Sequence, residues 1–168
     1  MVGPLNIFSA VQGVEVLWLA EQAGPVSSVT GSMTVVAQHS LSQLLPGPRG
    51  APPAVPPPTW LLVPGGVGAR REVRNDALLA ALTALLTCPG CGLELCMSVC
   101  TGVTLLAAAG LLDGTRATGN KSVWEWVTSV RPAVQVRRTT TLHGTEVAHV
   151  CTKICPSAAP AAPSCLLR

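Results

Sequence analysis

Hydrophobic residues are patterned most regularly in the middle of the chain, where a short apolar run precedes an amphipathic segment. Residues 60–63 are all apolar, residues 64–66 read Pro-Gly-Gly, and the leucines between positions 78 and 86 fall on one helical face. Asn75 or Asp76 can cap the start of that helix. The pattern therefore predicts a strand, a tight turn and a helix.

The same unit is predicted twice more along the chain. Further strands are expected at 14–19, 33–37, 93–99, 115–118 and 134–136, and further helices at 5–11, 103–112 and about 121–129. Strands that alternate with helices of about ten residues imply right-handed crossovers and a parallel sheet covered on both faces. The sequence therefore predicts an α/β three-layer sandwich.

Composition limits the class of protein. The chain has 168 residues, of which 48% are hydrophobic and 11% charged, so it can bury one core and is not globally disordered. Its net charge of +3 and its 3% aromatic content argue against a nucleic-acid partner. No apolar run reaches the roughly 18 residues of a membrane span, and no basic segment precedes a hydrophobic stretch at the N-terminus. We expect a cytoplasmic protein without a membrane or nucleic-acid partner.

Two segments depart from the regular pattern. Residues 46–58 contain seven prolines in thirteen positions, which predicts an extended loop because proline fixes φ and lacks a backbone donor. Periodicity fades from Arg137, and residues 151–168 show no recognisable element. We therefore predict one domain over residues 1–150 that includes the proline-rich loop, followed by an irregular tail over 151–168.

A candidate nucleophile lies where a buried strand is predicted to turn abruptly into a helix. Residues 98–102 read Ser-Val-Cys-Thr-Gly, and a cysteine on such a turn sits at the carboxyl end of the sheet. The helix start behind Cys100 would offer backbone donors to a thiolate and to an oxyanion, and Gly102 leaves room for close packing. The alternative is a buried cysteine that merely begins a helix.

The glycine-rich loop before the second helix is a candidate partner of this turn. Gly65 and Gly66 let the backbone approach a ligand and present its N–H groups, so the loop could supply oxyanion donors beside Cys100. A dinucleotide site fails because Arg71 occupies the position of the third glycine. A plain turn remains open as the alternative.

Seven cysteines are interpreted as free thiols, metal ligands or a nucleophile, because a cytosolic chain is not expected to form disulfides. Cys88 and Cys91 have the spacing of half a zinc site, which Cys151 and Cys155 could complete. The second pair has three intervening residues instead of two, so zinc is the weaker alternative. We expect no metal and no cofactor.

Three motifs carry a resemblance to a known family. They are Leu-Leu-Val-Pro-Gly-Gly at 61–66, Ser-Val-Cys-Thr-Gly at 98–102, and Gly-Leu-Leu-Asp-Gly at 110–114. Over roughly residues 3–136 the chain resembles the DJ-1/PfpI superfamily, within the class I glutamine amidotransferase-like fold. The Cys-Thr-Gly turn is similar to the isonitrile hydratase branch. The resemblance implies a flavodoxin-like, mostly parallel sheet with helices on both faces, and a homodimer.

The resemblance also implies roles for individual residues. Cys100 would be the nucleophile, the amides of Gly66 and Thr101 would line an oxyanion pocket with Gly65 and Gly102, and the Thr101 hydroxyl would orient a small-molecule substrate. The family's acid, which hydrogen-bonds the thiol, would precede Met1, so the first strand and the acid are expected to be absent.

Two functions follow from this resemblance. The first is cysteine-dependent hydration of an isonitrile to an N-substituted formamide, impaired by the absent acid because a positioned acid or base contributes about 10²- to 10⁴-fold. The alternative is a non-enzymatic, redox-responsive member of the family, in which Cys100 is oxidised reversibly to a sulfenic acid.

Overall fold

The computed structural model describes residues 2–88, 91–136 and 150–154, and these ranges contain five α-helices and nine strands. The helices are α1 (Val2–Ser9), α2 (Ala69–Glu72), α3 (Asp76–Thr87), α4 (Val103–Ala108) and α5 (Trp124–Val130). The strands are β1 (Leu19–Ala20), β2 (Gly24–Ser27), β3 (Thr34–Ala37), β4 (His39–Ser40), β5 (Trp60–Val63), β6 (Leu95–Val99), β7 (Arg116–Ala117), β8 (Gln135–Val136) and β9 (Val150–Ile154). Short 3-10 turns lie at Leu41–Leu44, Pro48–Gly50, Cys100–Gly102 and Lys121–Val123.

Parallel pairing of strands joined by helices defines the architecture. Strand β5 pairs in parallel with β6, with α2 and α3 between them in the chain, and β9 adds to the other side of β6 antiparallel. The pairs β1–β4 and β7–β8 are also parallel, whereas β2 and β3 form an antiparallel pair. Parallel strands require a crossover, commonly a helix, so this topology confirms the predicted flavodoxin-like α/β fold.

Helix α3 forms as its sequence pattern predicts. The Asn75 side chain caps the helix by accepting a 3.1 Å hydrogen bond from the backbone N–H of Leu78. Leu82, Leu85 and Leu86 are buried on one face. These leucines join a core cluster with residues of α4, β5 and β6, and each buried leucine contributes about 1.5–3 kcal/mol.

Helix α4 is shorter than predicted. The pattern indicated a helix over residues 103–112, but the α-helix ends at Ala108, and Gly110 adopts a φ of +72°. That left-handed conformation ends a helix and suits glycine, which has no Cβ to clash. The following Leu111 and Leu112 nevertheless stay buried, which explains why their apolar pattern resembles a continuing helix.

The strand predicted at 14–19 is wrong for most of its length. Only the last of these residues, Leu19, belongs to a strand, and Val14 is 38% exposed. Strand β2 was missed because its Gly-Pro start and exposed side chains lack the alternation that indicates a half-buried strand. Helix α1 begins three residues earlier than the predicted 5–11 helix, and the proline-rich loop contains one 3-10 turn.

Residues 150–154 form a strand that the sequence pattern did not predict. Strand β9 pairs with β6 over five residues, from Leu95 opposite Ile154 to Val99 opposite Val150. Its apolar residues are few and interrupted, so tertiary pairing rather than local propensity defines it. The division into a domain over 1–150 and a tail over 151–168 stays a prediction, since residues 155–168 lie outside the described residues.

The expectation that the cysteines form no disulfide is wrong for one pair. Cys88 and Cys91 are joined by a disulfide, with their Cα atoms 5.6 Å apart, a separation that disulfide geometry allows. The expectation rested on the reducing environment of the cytosol, which says nothing about local geometry. Cys88 directly follows α3, and Cys91 comes closely enough after it in the chain for the two sulfurs to meet. The longest helix in the described ranges has twelve residues, and none there is long and apolar enough to cross a membrane.

Candidate active site

The candidate nucleophile occupies a strained turn between β6 and α4. Strand β6 ends at Val99, and Cys100 then adopts a φ of 59°, the single positive value at a non-glycine residue in the described ranges. The left-handed conformation costs an L-residue roughly 1–2 kcal/mol, because Cβ approaches the following carbonyl oxygen. Cys100 is partly buried and carries a free thiol. The strain is held at a side chain that can act as a nucleophile.

Two glycines allow the glycine-rich loop and the turn to pack against each other. A Cβ atom placed on Gly102 would clash with the carbonyl oxygen of Val63 and would lie 2.9 Å from that of Pro64. A Cβ atom on Gly65 would lie 2.6 Å from both the Thr101 nitrogen and the Val99 oxygen. Backbone atoms block both positions, so any larger residue would push the loop away from Cys100.

Thr101 fastens the glycine-rich loop to the turn by two hydrogen bonds. Its buried hydroxyl accepts a 2.8 Å bond from the Gly66 N–H and donates a 3.0 Å bond to the Gly66 carbonyl. The Thr101 carbonyl in turn accepts a 2.7 Å bond from the hydroxyl of Thr104 in α4. The threonine of the Cys-Thr-Gly motif thus joins the loop, the turn and the helix.

The structure brings all five sequence-predicted site residues together, but it gives one of them a different contact. The Gly66 N–H, expected to face an oxyanion, is engaged by the Thr101 hydroxyl. The Thr101 N–H lies in the first turn of a helical segment, where backbone N–H groups have no intrahelical acceptor. Oxyanion stabilisation by these two amides stays a prediction, and the Thr101 amide is the better placed donor.

Asn120 is a site residue that sequence reasoning missed. Its side-chain Nδ2 donates a 3.0 Å hydrogen bond to Cys100 Sγ, and its Oδ1 accepts a 2.8 Å bond from the Ser122 N–H. An asparagine before a helical turn is recognisable in sequence as an N-cap. No local signal shows that this cap lies against the nucleophile, because the contact spans twenty residues.

The segment around Asn120 is polar and closely packed. A Cβ atom on Gly119 would lie 2.9 Å from side-chain atoms of Val103 and Val127, so this glycine lets the segment approach α4. In the described part of the chain, Thr118 Oγ1 and Lys121 Nζ are buried atoms without a hydrogen-bond partner. Two buried polar atoms near Asn120 in the chain are therefore available to bind a further group.

The acidic groups with displaced pKa values are bonded elsewhere. A 2.9 Å hydrogen bond from Asn75 is the main cause that lowers the pKa of Glu72, while the Arg131 guanidinium lowers the pKa of Asp113 by hydrogen bonding. Within the described ranges, no carboxylate hydrogen-bonds Cys100 Sγ. The sulfur thus has an amide partner where the resemblance implied an acid.

Arg70, Arg71 and Arg74 line an open cleft that Cys100 does not line. The cleft has a volume of about 760 Å³, and its walls are Glu21, Arg70, Arg71, Glu72, Arg74 and Asn75. The Arg70 guanidinium also lies 4.6 Å from the ring centre of Trp126. Arg70 is therefore engaged by a cation–π contact and Arg71 by an ion pair with Glu72.

Metal binding by the paired cysteines is not supported. The sulfurs of Cys88 and Cys91 are joined to each other and cannot act as thiolate ligands in this state. The described residues contain no group of three or more His, Cys, Asp or Glu side chains that could hold a metal ion. Cys155, the last residue of the zinc alternative, lies outside the described residues.

Comparisons with known proteins agree with the architecture. A family model described as "DJ-1/PfpI family" matches residues 1–138. A solved structure of a ThiJ/PfpI family protein from Pseudomonas syringae superposes with a TM-score of 0.63 at 24% identity, covering 83% of this chain. The chain spans 50% of the length of that protein. A search of curated proteins found no match.

Proposed function

Because the chain belongs to the DJ-1/PfpI family, we propose that it is a cysteine-dependent enzyme in which Cys100 attacks an electrophilic carbon of a small substrate. Family membership supports a general cysteine-dependent hydrolase-like or redox-sensing role. The observation that carries the proposal is the conformation of Cys100, whose φ is 59°. Its thiol is free and partly exposed, and it lies on a strand-to-helix turn. Such a turn presents a nucleophile at the start of a helix.

The proposed reaction is the hydration of an isonitrile. The Cys100 thiolate forms a carbon–sulfur bond to the terminal isonitrile carbon, and that carbon takes a proton from solvent to give a thioimidate. Water then adds to the same carbon while the nitrogen takes up a proton, the carbon–sulfur bond breaks, the sulfur leaves as thiolate, and the added hydroxyl releases its proton to solvent. The net reaction converts one isonitrile and one water into one N-substituted formamide, and the Cys100 thiolate is regenerated.

The turn favours the first step in two ways. The N–H groups that begin a helical segment place partial positive charge beside the sulfur, which stabilises a thiolate. The Thr101 N–H is a donor that can hold negative charge developing on the substrate. A carboxyl group that would move protons is not bonded to the sulfur in the described ranges, so we expect slow turnover.

Turnover of an isonitrile by the purified full chain tests this proposal. Cyclohexyl isonitrile is incubated with the wild type and with C100S, and the formamide is quantified by mass spectrometry. We expect formamide above the buffer rate for the wild type and only the buffer rate for C100S. The control is C165S, which changes a cysteine outside the described residues. Equal formamide production by the wild type and C100S would remove Cys100 from the reaction.

Redox sensing is the second candidate function, and the Asn120 contact favours it. An amide N–H lies 3.0 Å from the sulfur and stabilises negative charge on it, and a thiolate is the form of cysteine that peroxide oxidises. Peroxide would oxidise the Cys100 thiolate to a sulfenic acid and would itself be reduced to hydroxide. Peptide mass analysis after a brief peroxide pulse should show Cys100 modified first. If Cys100 is oxidised no faster in the folded protein than in the unfolded chain, this function is excluded.

A further inference from the structure

We propose that Asn120 is a positioning residue for Cys100, which holds the sulfur in one direction and donates an N–H to the negative charge that the sulfur carries when it attacks. The inference rests on the proposed function and concerns how the site works when no carboxylate of the described residues contacts the sulfur. Asn120 is linked to the nucleophile by its Nδ2–Sγ hydrogen bond of 3.0 Å. It comes from the turn before α5, so it approaches the sulfur from outside the strand–turn–helix unit.

The orientation of the Asn120 amide is fixed by its second hydrogen bond. An asparagine side chain has an acceptor end and a donor end, which are hard to tell apart by shape alone. Here Oδ1 accepts the Ser122 N–H at 2.8 Å, as an N-cap does. Since the oxygen is held by the helical turn, the NH₂ group must face Cys100. The cap thereby commits the residue to donate to the sulfur.

A donating amide and a carboxyl group have different chemical effects on a thiol. An N–H that points at the sulfur stabilises the negative charge of a thiolate, and charge-assisted bonds are about twice as strong as neutral ones. The amide cannot accept the thiol proton, so that proton passes to solvent. Asn120 therefore supports nucleophilic attack while leaving proton transfer to water, which agrees with the slow turnover expected above.

Two substitutions separate this role from helix capping. N120D and N120S both keep a side-chain oxygen that can cap the turn, because Asp and Ser are preferred N-cap residues. Both lose the N–H donor to Cys100. N120D in addition places a carboxylate beside the sulfur. If Asn120 acted only as a cap, N120S would behave as the wild type, and N120D would show only the effect of its added charge.

The matched control is N75S. Asn75 caps α3 in the same manner through its Oδ1, and its Nδ2 donates to Glu21 and Glu72, not to a cysteine. N75S therefore removes an asparagine amide from a capping position while leaving Cys100 untouched. Any general effect of loosening a helix start would appear in this variant as well.

The readout is alkylation of Cys100 by iodoacetamide at pH 7, followed peptide by peptide, together with the thiolate absorbance near 240 nm measured as a difference from C100S. We expect N120S to slow the alkylation about tenfold, since a hydrogen bond to a charged group is lost. N120D should slow it further because the carboxylate repels the thiolate. N75S should react at the wild-type rate, and the absorbance should fall in step with alkylation.

The inference is overturned if N120S and N120D react within about twofold of the wild type and keep its thiolate absorbance. Should N120S fail to fold, N120T takes its place, because threonine also keeps a capping oxygen, lacks the amide donor and adds no negative charge. The assay uses no substrate, so its outcome is independent of isonitrile turnover. Fast wild-type alkylation without turnover would refute the hydratase and leave the role of Asn120 standing.

Discussion

The backbone of Cys100 is held in its left-handed conformation by its neighbours. Thr101 fixes the glycine-rich loop through Gly66, and Asn120 contacts the sulfur from the opposite segment. Strain of about 1–2 kcal/mol persists only where surrounding contacts outweigh it. The hydroxyl of Thr101 is therefore expected to maintain the site more than to contact substrate.

Substitution of Thr101 by valine tests this role. T101V keeps the shape of the side chain but removes both hydrogen bonds to Gly66, so the free energy of unfolding should fall by about 1–2 kcal/mol. Chemical denaturation measures the loss. T101S retains the hydroxyl and should recover most of the stability and of the Cys100 alkylation rate. A T101V protein as stable as the wild type would show that the two bonds contribute nothing.

The sequence predicted that the Cys100 turn and the glycine-rich loop lie together, because a short motif defines each of them. Cys100, Thr101 and Gly102 are consecutive, and Gly65 and Gly66 form a recognisable turn. Asn120 could not be predicted as a sulfur contact, because its position depends on the path of the chain between α4 and α5. The two hydrogen bonds between Gly66 and Thr101 were missed because they join residues 35 apart that the pairing of β5 with β6 brings together.

At the level of elements, β6, its turn and α4 act as one unit that depends on Gly102. Replacement of Gly102 by alanine forces its Cβ against the Val63 and Pro64 carbonyl oxygens. We expect G102A to lose about 1–3 kcal/mol of stability and most of the Cys100 reactivity, because overpacking shifts the backbone.

The control for G102A is G68A. Gly68 also has helical backbone angles, but the nearest atom to its Cβ would be 3.9 Å away. G68A should unfold at or slightly above the wild-type denaturant midpoint. If G102A proved as stable as G68A, the close packing of the loop against the turn would not be needed for the fold.

An ion pair links the segments that follow α4 and α5. Arg131 donates from Nε to Asp113 Oδ1 at 2.9 Å, and the bonded guanidinium lowers the pKa of Asp113. Because the folded-state pKa is lowered, the stabilisation is fully present above the unfolded value of about 3.9 and is lost as the pH falls through the folded value.

The pH dependence of D113N therefore tests the ion pair. At pH 7, D113N should melt about 1–2 °C below the wild type, a small effect because both groups are exposed to solvent. The difference in Tm should shrink below about pH 4, as the wild-type carboxyl group takes up a proton. Thermal unfolding followed by circular dichroism at several pH values measures both. A Tm difference that does not change between pH 7 and pH 3 would contradict this assignment.

Elements with strong local patterns were predicted, and those defined by tertiary pairing were not. Strand β5 is a continuous apolar run, and helix α3 has leucines on one face and a capping asparagine. These signals identify both elements without knowledge of the fold. Strand β2 has mostly exposed side chains, and strand β9 has a sequence that mixes apolar and polar residues. Both are therefore strands because of the neighbours to which they are hydrogen-bonded.

For the whole molecule, the α/β architecture followed from alternating patterns, whereas the covalent state of the cysteines did not. The spacing of Cys88 and Cys91 indicated half a zinc site and no disulfide was expected, whereas the structure shows a disulfide between them. The family match extends over residues 1–138, and the solved relative is twice as long as the part that this chain covers. The proposed function therefore requires that Cys100 be reactive in the folded protein.

The most direct measurement compares alkylation of Cys100 by iodoacetamide at pH 7 in the folded protein and in the same protein unfolded in guanidinium. Partial burial alone would slow the reaction in the folded state. An activated nucleophile would instead react faster when folded, because the helix start and Asn120 stabilise its thiolate. We expect Cys100 to react about tenfold faster in the folded protein. A slower reaction in the folded protein would contradict a nucleophilic role for Cys100.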